Sequence, residues 1–235
     1  MPHLSKRGTE LPTSPIRKLV VFSDEAKARG IEVLHLNIGQ PDIEAPKAAL
    51  KAVRNTPLKL LPYGPSQGEL SYRKKLAKYY SKHQIEVSSE DILVTTGASE
   101  ALTFVLNSIC DAGDEIIIPE PFYANYNGFA SAASVKVVPV ISEFNSQFQL
   151  PALENINEKI NSKTKAILLC NPSNPTGYVY SQSEISTLCE LAVSHNIFLI
   201  IDEVYLEFIH GDIEHYSVLR HPKGAAHIDI IDSVS

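Results

Sequence analysis

Cysteine is scarce in this chain: Cys110, Cys170 and Cys189 are the only three in 235 residues. Each sits inside an apolar helix or strand pattern, so they read as buried thiols and a disulfide framework is excluded. No block of basic residues is present and the net charge is -6, which argues against nucleic acid as a partner. No apolar run reaches transmembrane length, and the opening residues, MPHLSKRGTELP, contain no apolar signal core. The expectation is therefore a cytoplasmic protein without a membrane partner. The eight histidines are scattered without ligand spacing, so no metal site is expected. What is present is ordinary for a globular chain, 44% hydrophobic and 20% charged, long enough for one large domain or two small ones.

The first segment is an arm rich in Pro and Ser. Ser14-Pro15 reads as a cap with proline in the first helical turn, opening a helix over residues 16–29 that Gly30 stops. Residues 32–36 read as a short strand running into the turn-rich Asn37-Ile38-Gly39-Gln40-Pro41-Asp42. Helices follow at 48–54 and around Leu70, Leu76, Ala77 and Tyr80, separated by the loop Tyr63-Gly64-Pro65-Ser66-Gln67-Gly68. Thereafter strands alternate with helices. Strands are expected at 92–96, 115–118, 135–141, 166–170, 197–201 and 228–231. Helices are expected at 99–109, after Pro121, around Leu153, Ile156 and Ile160, and from a capping box at Ser181 and Glu184. Such alternation implies right-handed crossovers and a parallel sheet covered on both faces.

One stretch organises the rest: Ile197 to Tyr205, IFLIIDEVY. Five apolar β-formers suit a strand buried on both faces, and they end at Asp202 and Glu203. A carboxylate at the carboxyl end of a buried strand either meets a cation bound over the sheet edge or caps the next helix. Other strand ends carry comparable signals. Thr95-Thr96-Gly97-Ala98-Ser99-Glu100 turns through glycine into a helix, where Ser99 and the backbone amides make an anion site or Ser99 is a plain N-cap. Tyr123, in Pro121-Phe122-Tyr123, stacks on a planar ligand or belongs to core or interface. Asn171-Pro172-Ser173-Asn174-Pro175-Thr176-Gly177 is a rigid loop presenting amides, richer in turn dipeptides than a plain turn requires.

NPSNPTG, DEVY after a hydrophobic strand and a terminal SVS together resemble the class I and II aminotransferases. These are pyridoxal-phosphate (PLP) enzymes of the aspartate aminotransferase fold. TGASEAL, PFYANY, NIGQPD and YGPSQG fall in the same order, so the resemblance spans nearly the whole chain. It implies a three-layer α/β/α large domain with a mainly parallel sheet, plus the N-terminal part of a small domain. The boundaries read are 1–45 for the arm and part of the small domain, and 46–235 for the large domain, continuing beyond 235.

By this resemblance Asp202 faces the pyridine nitrogen and holds its proton, making the ring an electron sink. Tyr205 and Asn174 bond the phenolic oxygen, and Asn174 also meets the substrate carboxylate. Tyr123 stacks on the ring, where many relatives have a tryptophan that this chain lacks. Gly97, Ala98, Ser99 and Ser233 cradle the phosphate. Gly39 reaches the substrate carboxylate. Tyr63 crosses a homodimer interface to the neighbour's phosphate. The resemblance also implies a Schiff-base lysine at position 236, directly after Ser233-Val234-Ser235, with further arginines and most of the small domain beyond it. The chain is accordingly read as truncated at this point or as ending at a lysine that carries the cofactor covalently. The implied function is amino transfer between an amino acid, aspartate among the candidates, and a 2-oxo acid in amino-acid metabolism. The alternatives are another PLP enzyme of this fold, such as a C–S or β-elimination lyase, and a non-catalytic regulatory module.

Overall fold

A computed structural model of the chain describes residues 2–12, 14, 17–39, 41–60, 62–221 and 228–233. Eight α-helices are defined among them: α1 (Lys6–Glu10), α2 (Val20–Ala28), α3 (Lys47–Arg54), α4 (Leu70–Lys82), α5 (Ala98–Ile109), α6 (Tyr126–Ala132), α7 (Leu153–Asn157) and α8 (Gln182–His195). The strands are β1 (Glu115–Glu120), β2 (Lys136–Ile141), β3 (Thr164–Cys170), β4 (Phe198–Asp202) and β5 (Ile228–Ile231). Two units result, Thr13–Ser66 and a larger one formed by Met1–Pro12 with Gln67–Ser235.

The larger unit is built on a five-stranded sheet in the order β2-β1-β3-β4-β5, and every adjacent pair is parallel. The central strands are Ile- and Leu-rich because both faces are covered. Side-chain alternation divides the core cleanly. Ile116, Ile118, Ala166, Leu168 and Ile200 pack with Leu102, Leu106 and Ala130 of α5 and α6. Ile117, Ile167, Leu169, Leu199 and Ile201 pack on the other side with Ile156 of α7 and Ile185, Leu188 and Ala192 of α8. The result is the three-layer α/β/α arrangement expected. Each fully buried Leu or Ile contributes roughly 1.5–3 kcal/mol relative to its exposed state. α8 begins as anticipated: the Ser181 hydroxyl accepts from the Glu184 amide, and Glu184 accepts from the Ser181 amide in return. It ends where Asn196 takes a left-handed conformation, φ 54°, and the Ile197 amide turns back to the Ala192 carbonyl.

Several local expectations are corrected. Residues 32–36 and 92–96 carry no strand ladder, although both are rich in β-formers. A strand exists only with a partner, and among the described residues the second segment is tied by the Val94 amide to the Gln67 carbonyl at 3.0 Å without forming a ladder. The N-terminal arm contains α1, capped by the Ser5 hydroxyl on the Gly8 amide at 3.0 Å. The helix after Pro121 starts only at Tyr126. In the predicted 16–29 helix, a 3-10 turn at Arg17–Leu19 precedes α2, and Gly30 at φ 78° ends it. Pro15, its proposed first-turn proline, lies outside the described residues. Cys170 and Cys189 are buried, Cys110 is half-buried, and all three are free thiols. The smaller unit holds α2 and α3, and none of its described residues is buried.

Candidate functional site

Because every strand runs the same way, their carboxyl ends meet at one edge of the sheet, the usual place for ligands in open α/β folds. Asp202 closes β4 between Cys170 of β3 and Ile231 of β5. Ile200 faces the α5 and α6 side, so period-2 alternation sends the Asp202 side chain to that side as well. There the Tyr126 hydroxyl donates to Asp202 Oδ2 at 2.7 Å, and the Val204 amide donates to Oδ1 at 3.2 Å. Burial pushes the Asp202 carboxyl above its ordinary range; the two donors oppose this, and the charge of Asp232 adds to it. Asp202 is only 7% exposed. A carboxylate taken this far out of water, with neutral donors alone, is stabilised further by a cation placed over the edge.

The loop after β3 is fixed at its base. The Asn171 amide donates to the Asp202 carbonyl at 2.9 Å, and Asn171 Oδ1 accepts from the Tyr180 amide at 3.0 Å. Gly177, at φ 72°, lets its own amide return to the Ser173 carbonyl at 2.8 Å. This frame presents Asn174, whose Nδ2 donates to the Tyr205 hydroxyl at 3.3 Å. Tyr205 is pushed up by burial first, against the opposing bond from Asn174. An amide and a phenol thus stand together beyond the β3 and β4 ends. Tyr123 is half-buried and meets Tyr126 edge to face, centroids 5.4 Å apart and planes at 89°.

The start of α5 is shaped by Gly97, whose φ of 102° and ψ of 173° belong to a region that is essentially glycine-only. Gly97 is the N-cap, and no side chain caps this end. The alternative of Ser99 as N-cap is therefore corrected: Ser99 is the second residue inside the helix. Around the turn, Thr95 Oγ1 donates to the Gly97 carbonyl at 2.9 Å and Glu100 accepts from the Thr96 amide at 2.6 Å. Ala98 and Tyr123 pack against the same side of the core. Gly97 and Ser233 line one cavity of about 540 Å³, together with Thr95, Tyr80 and Asp232. The Tyr80 hydroxyl donates to Asp232 at 2.9 Å. Gly39 and Tyr63 belong to the smaller unit, where both are exposed.

Sequence reasoning missed Tyr126. Its signal was position: it lies three residues after Tyr123 in PFYANY, where α6 begins. Tyr126→Phe removes the shortest bond to a buried carboxylate. A loss of about 1.5–3 kcal/mol in urea unfolding is expected. The loss should shrink as pH falls through the raised titration of Asp202, because the hydroxyl favours the ionised acid.

Among the described residues, no helix is long and apolar enough to cross a membrane, and no His, Cys, Asp and Glu cluster of metal-binding type occurs. The model for the family "Aminotransferase class I and II" matches residues 31–235. Aspartate aminotransferase of Bacillus subtilis is 34% identical over 219 residues, 92% of this chain and 56% of that protein. A glutamate–pyruvate aminotransferase of Escherichia coli is 34% identical over 194 residues, 80% and 47% respectively. The structure of aspartate aminotransferase from Thermus thermophilus with maleate superposes with a TM-score of 0.89 at 29% identity, over 100% of this chain and 61% of that one. The chain thus spans about half the length of the curated relatives it matches.

Proposed function

The chain belongs to the class I and II aminotransferases, a PLP-dependent family, and on that premise we propose that it works in a transaminase. The reaction is transfer of an amino group between an amino acid, aspartate foremost, and a 2-oxo acid. The observation that carries this reading is Asp202, buried at the end of β4 and held by Tyr126 and Val204. The donor set suits the cofactor: a buried carboxylate for a ring cation, an amide and a phenol for an anionic oxygen, and an uncapped helix start for a phosphate. When bound, PLP supplies the aldehyde that takes the amine and a ring that accepts electron density.

The residues then have distinct tasks. Asp202 holds a proton on the ring nitrogen, and Tyr126 holds Asp202. Tyr205 and Asn174 donate toward the phenolic oxygen, and Tyr123 covers a ring face. The amides of Gly97, Ala98 and Ser99, with the Ser99 and Ser233 hydroxyls, take the phosphate. Gly39 and Asn174 serve the substrate carboxylate, and Tyr63 is given by the partner subunit of a cytoplasmic homodimer. The domain division at residue 45 is part of the same proposal.

The test uses the full-length protein loaded with PLP. Glutamate and oxaloacetate should yield aspartate and 2-oxoglutarate in equal amounts, with the cofactor's absorption band shifting when either amino acid is added alone. Release of ammonia instead would identify a lyase. An unmoved band with every amino acid would identify a non-catalytic module.

A further inference from the structure

Asp202 has a neighbour whose burial the proposed chemistry does not use. Glu203 is 1% exposed, and alternation turns its side chain toward the sheet face opposite Asp202. Directly after β4, its amide donates to the Ile231 carbonyl of β5 at 2.7 Å. Glu203 Oε1 lies 3.6 Å from His215 Nε2, and His215 is 8% exposed. Among the described residues, neither the Glu203 carboxyl oxygens nor His215 Nε2 make a hydrogen bond of good geometry, although the Ser217 side chain lies near enough to favour the ionised Glu203. Three orphaned polar atoms facing one another in a buried place are costly unless they serve each other.

We propose that Glu203 and His215 form a buried pair holding one proton, a neutral carboxylic acid directed at a neutral imidazole, which braces the β4 end from behind and leaves Asp202 as the ionised member of the Asp202-Glu203 couple.

The surroundings favour the neutral form. Burial drives the Glu203 carboxyl to about 8, with Asp232 and Asp202 raising it further while Ser217 and Arg220 oppose. Burial drives the His215 ring to about 4, with Arg220 and His83 lowering it and the Asn171 backbone opposing. Tyr79 and Tyr80 lie near enough that an ionised Glu203 would raise both phenols. Arg220 is engaged elsewhere, by the His83 carbonyl at 2.8 Å and Glu214 at 3.1 Å. Among the described residues, Arg220 is thus not committed to an ionised Glu203. Ser217, wholly buried, and Val218 complete the wall on this side. His215 also abuts the backbone of Asn171, the first residue of the loop that carries Asn174. The pair thus touches both segments that present the site.

Linkage gives the pair a signature. Between about pH 4.5 and 6.5, folded and unfolded chains each hold one proton on these two groups, so the pair adds no slope. Above about 6.5 the folded pair keeps a proton that the unfolded chain has lost, so its stabilisation falls as pH rises toward about 8. In Glu203→Gln only the histidine remains, and stability should instead rise up to about pH 6.5 and then level.

The experiment uses the full-length protein with PLP removed. The infrared difference between wild type and Glu203→Gln at pH 7 should show the carbonyl stretch of a protonated carboxylic acid, absent from the variant. Absence of that band overturns the proposal, as does a urea-midpoint profile in which wild type and Glu203→Gln share one pH dependence. For the positioning role, Glu203→Gln keeps a neutral donor and should bind PLP within about threefold of wild type, by the constant of 1.4 kcal/mol per tenfold. Glu203→Ala and His215→Ala should weaken it at least tenfold. A Gln variant as damaged as the Ala variants overturns the role of the neutral pair. Only this last consequence rests on the cofactor reading. If wild type binds no PLP yet shows the acid band, the functional proposal fails and the pair stands.

Discussion

Asp202→Asn is expected to slow the amino-donor half-reaction of the full-length protein by at least several hundredfold, a loss of about 3–4 kcal/mol of transition-state stabilisation. Asparagine preserves the shape at the end of β4, and its amide oxygen can still accept from the Tyr126 hydroxyl that now bonds Asp202 at 2.7 Å. What it lacks is the charge that favours a protonated ring nitrogen. Fold and catalysis should separate in this variant. Burial holds the Asp202 carboxyl above its ordinary range. A raised carboxyl contributes stability when protonated and loses it as pH rises through the folded value. At neutral pH the cofactor-free variant should therefore be at least as stable as wild type. Single-turnover kinetics reads the first effect and urea unfolding the second. A rate loss under tenfold would sink the assignment of Asp202.

The parts visible in the sequence are those where one local rule decides the outcome. The run Ile197 to Ile201 has no polar face, so it had to lie inside a covered parallel sheet, and β4 does. The Ser181 and Glu184 box is self-contained within four residues, and it forms as read. The burial of Asp202 was legible because it closes a strand without a polar face, whereas the roles of Asp202 and Asn174 came from the resemblance and not from any local rule. The parts not legible depend on distant residues. Residues 92–96 have the composition of a strand but no ladder, since pairing is a property of two segments. Tyr126 was not singled out in the sequence; only the fold shows its hydroxyl on Asp202, 76 residues further along the chain. His215 follows the same logic, because its partner Glu203 is separated from it by a loop that carries no periodic pattern.

Gly97→Ala should reduce affinity for PLP by about thirtyfold, equivalent to about 2 kcal/mol, while leaving affinity for phosphate-free pyridoxal almost unchanged. The cause is backbone strain alone. A methyl group added at Gly97 meets no heavy atom within 4 Å, so no clash explains a loss. Its φ of 102° and ψ of 173°, however, are unfavourable for any residue with a Cβ by about 1–3 kcal/mol. The chain can relieve that strain only by rotating the turn, which moves the first amides of α5 and disturbs the Thr95 hydroxyl bond to the Gly97 carbonyl. Those amides are the proposed phosphate ligands, uncapped by any side chain. Pyridoxal, on the proposed site, would make its ring contacts with Asp202, Tyr205 and Asn174 and would not need those amides. Ser99→Ala removes one hydroxyl without touching the backbone, and should cost only about 1 kcal/mol. Equilibrium titration of the full-length variants with both ligands separates these effects. An equal loss for pyridoxal and PLP would mean that the turn supports the whole site and does not select phosphate. No loss for either would remove Gly97 from the phosphate cradle.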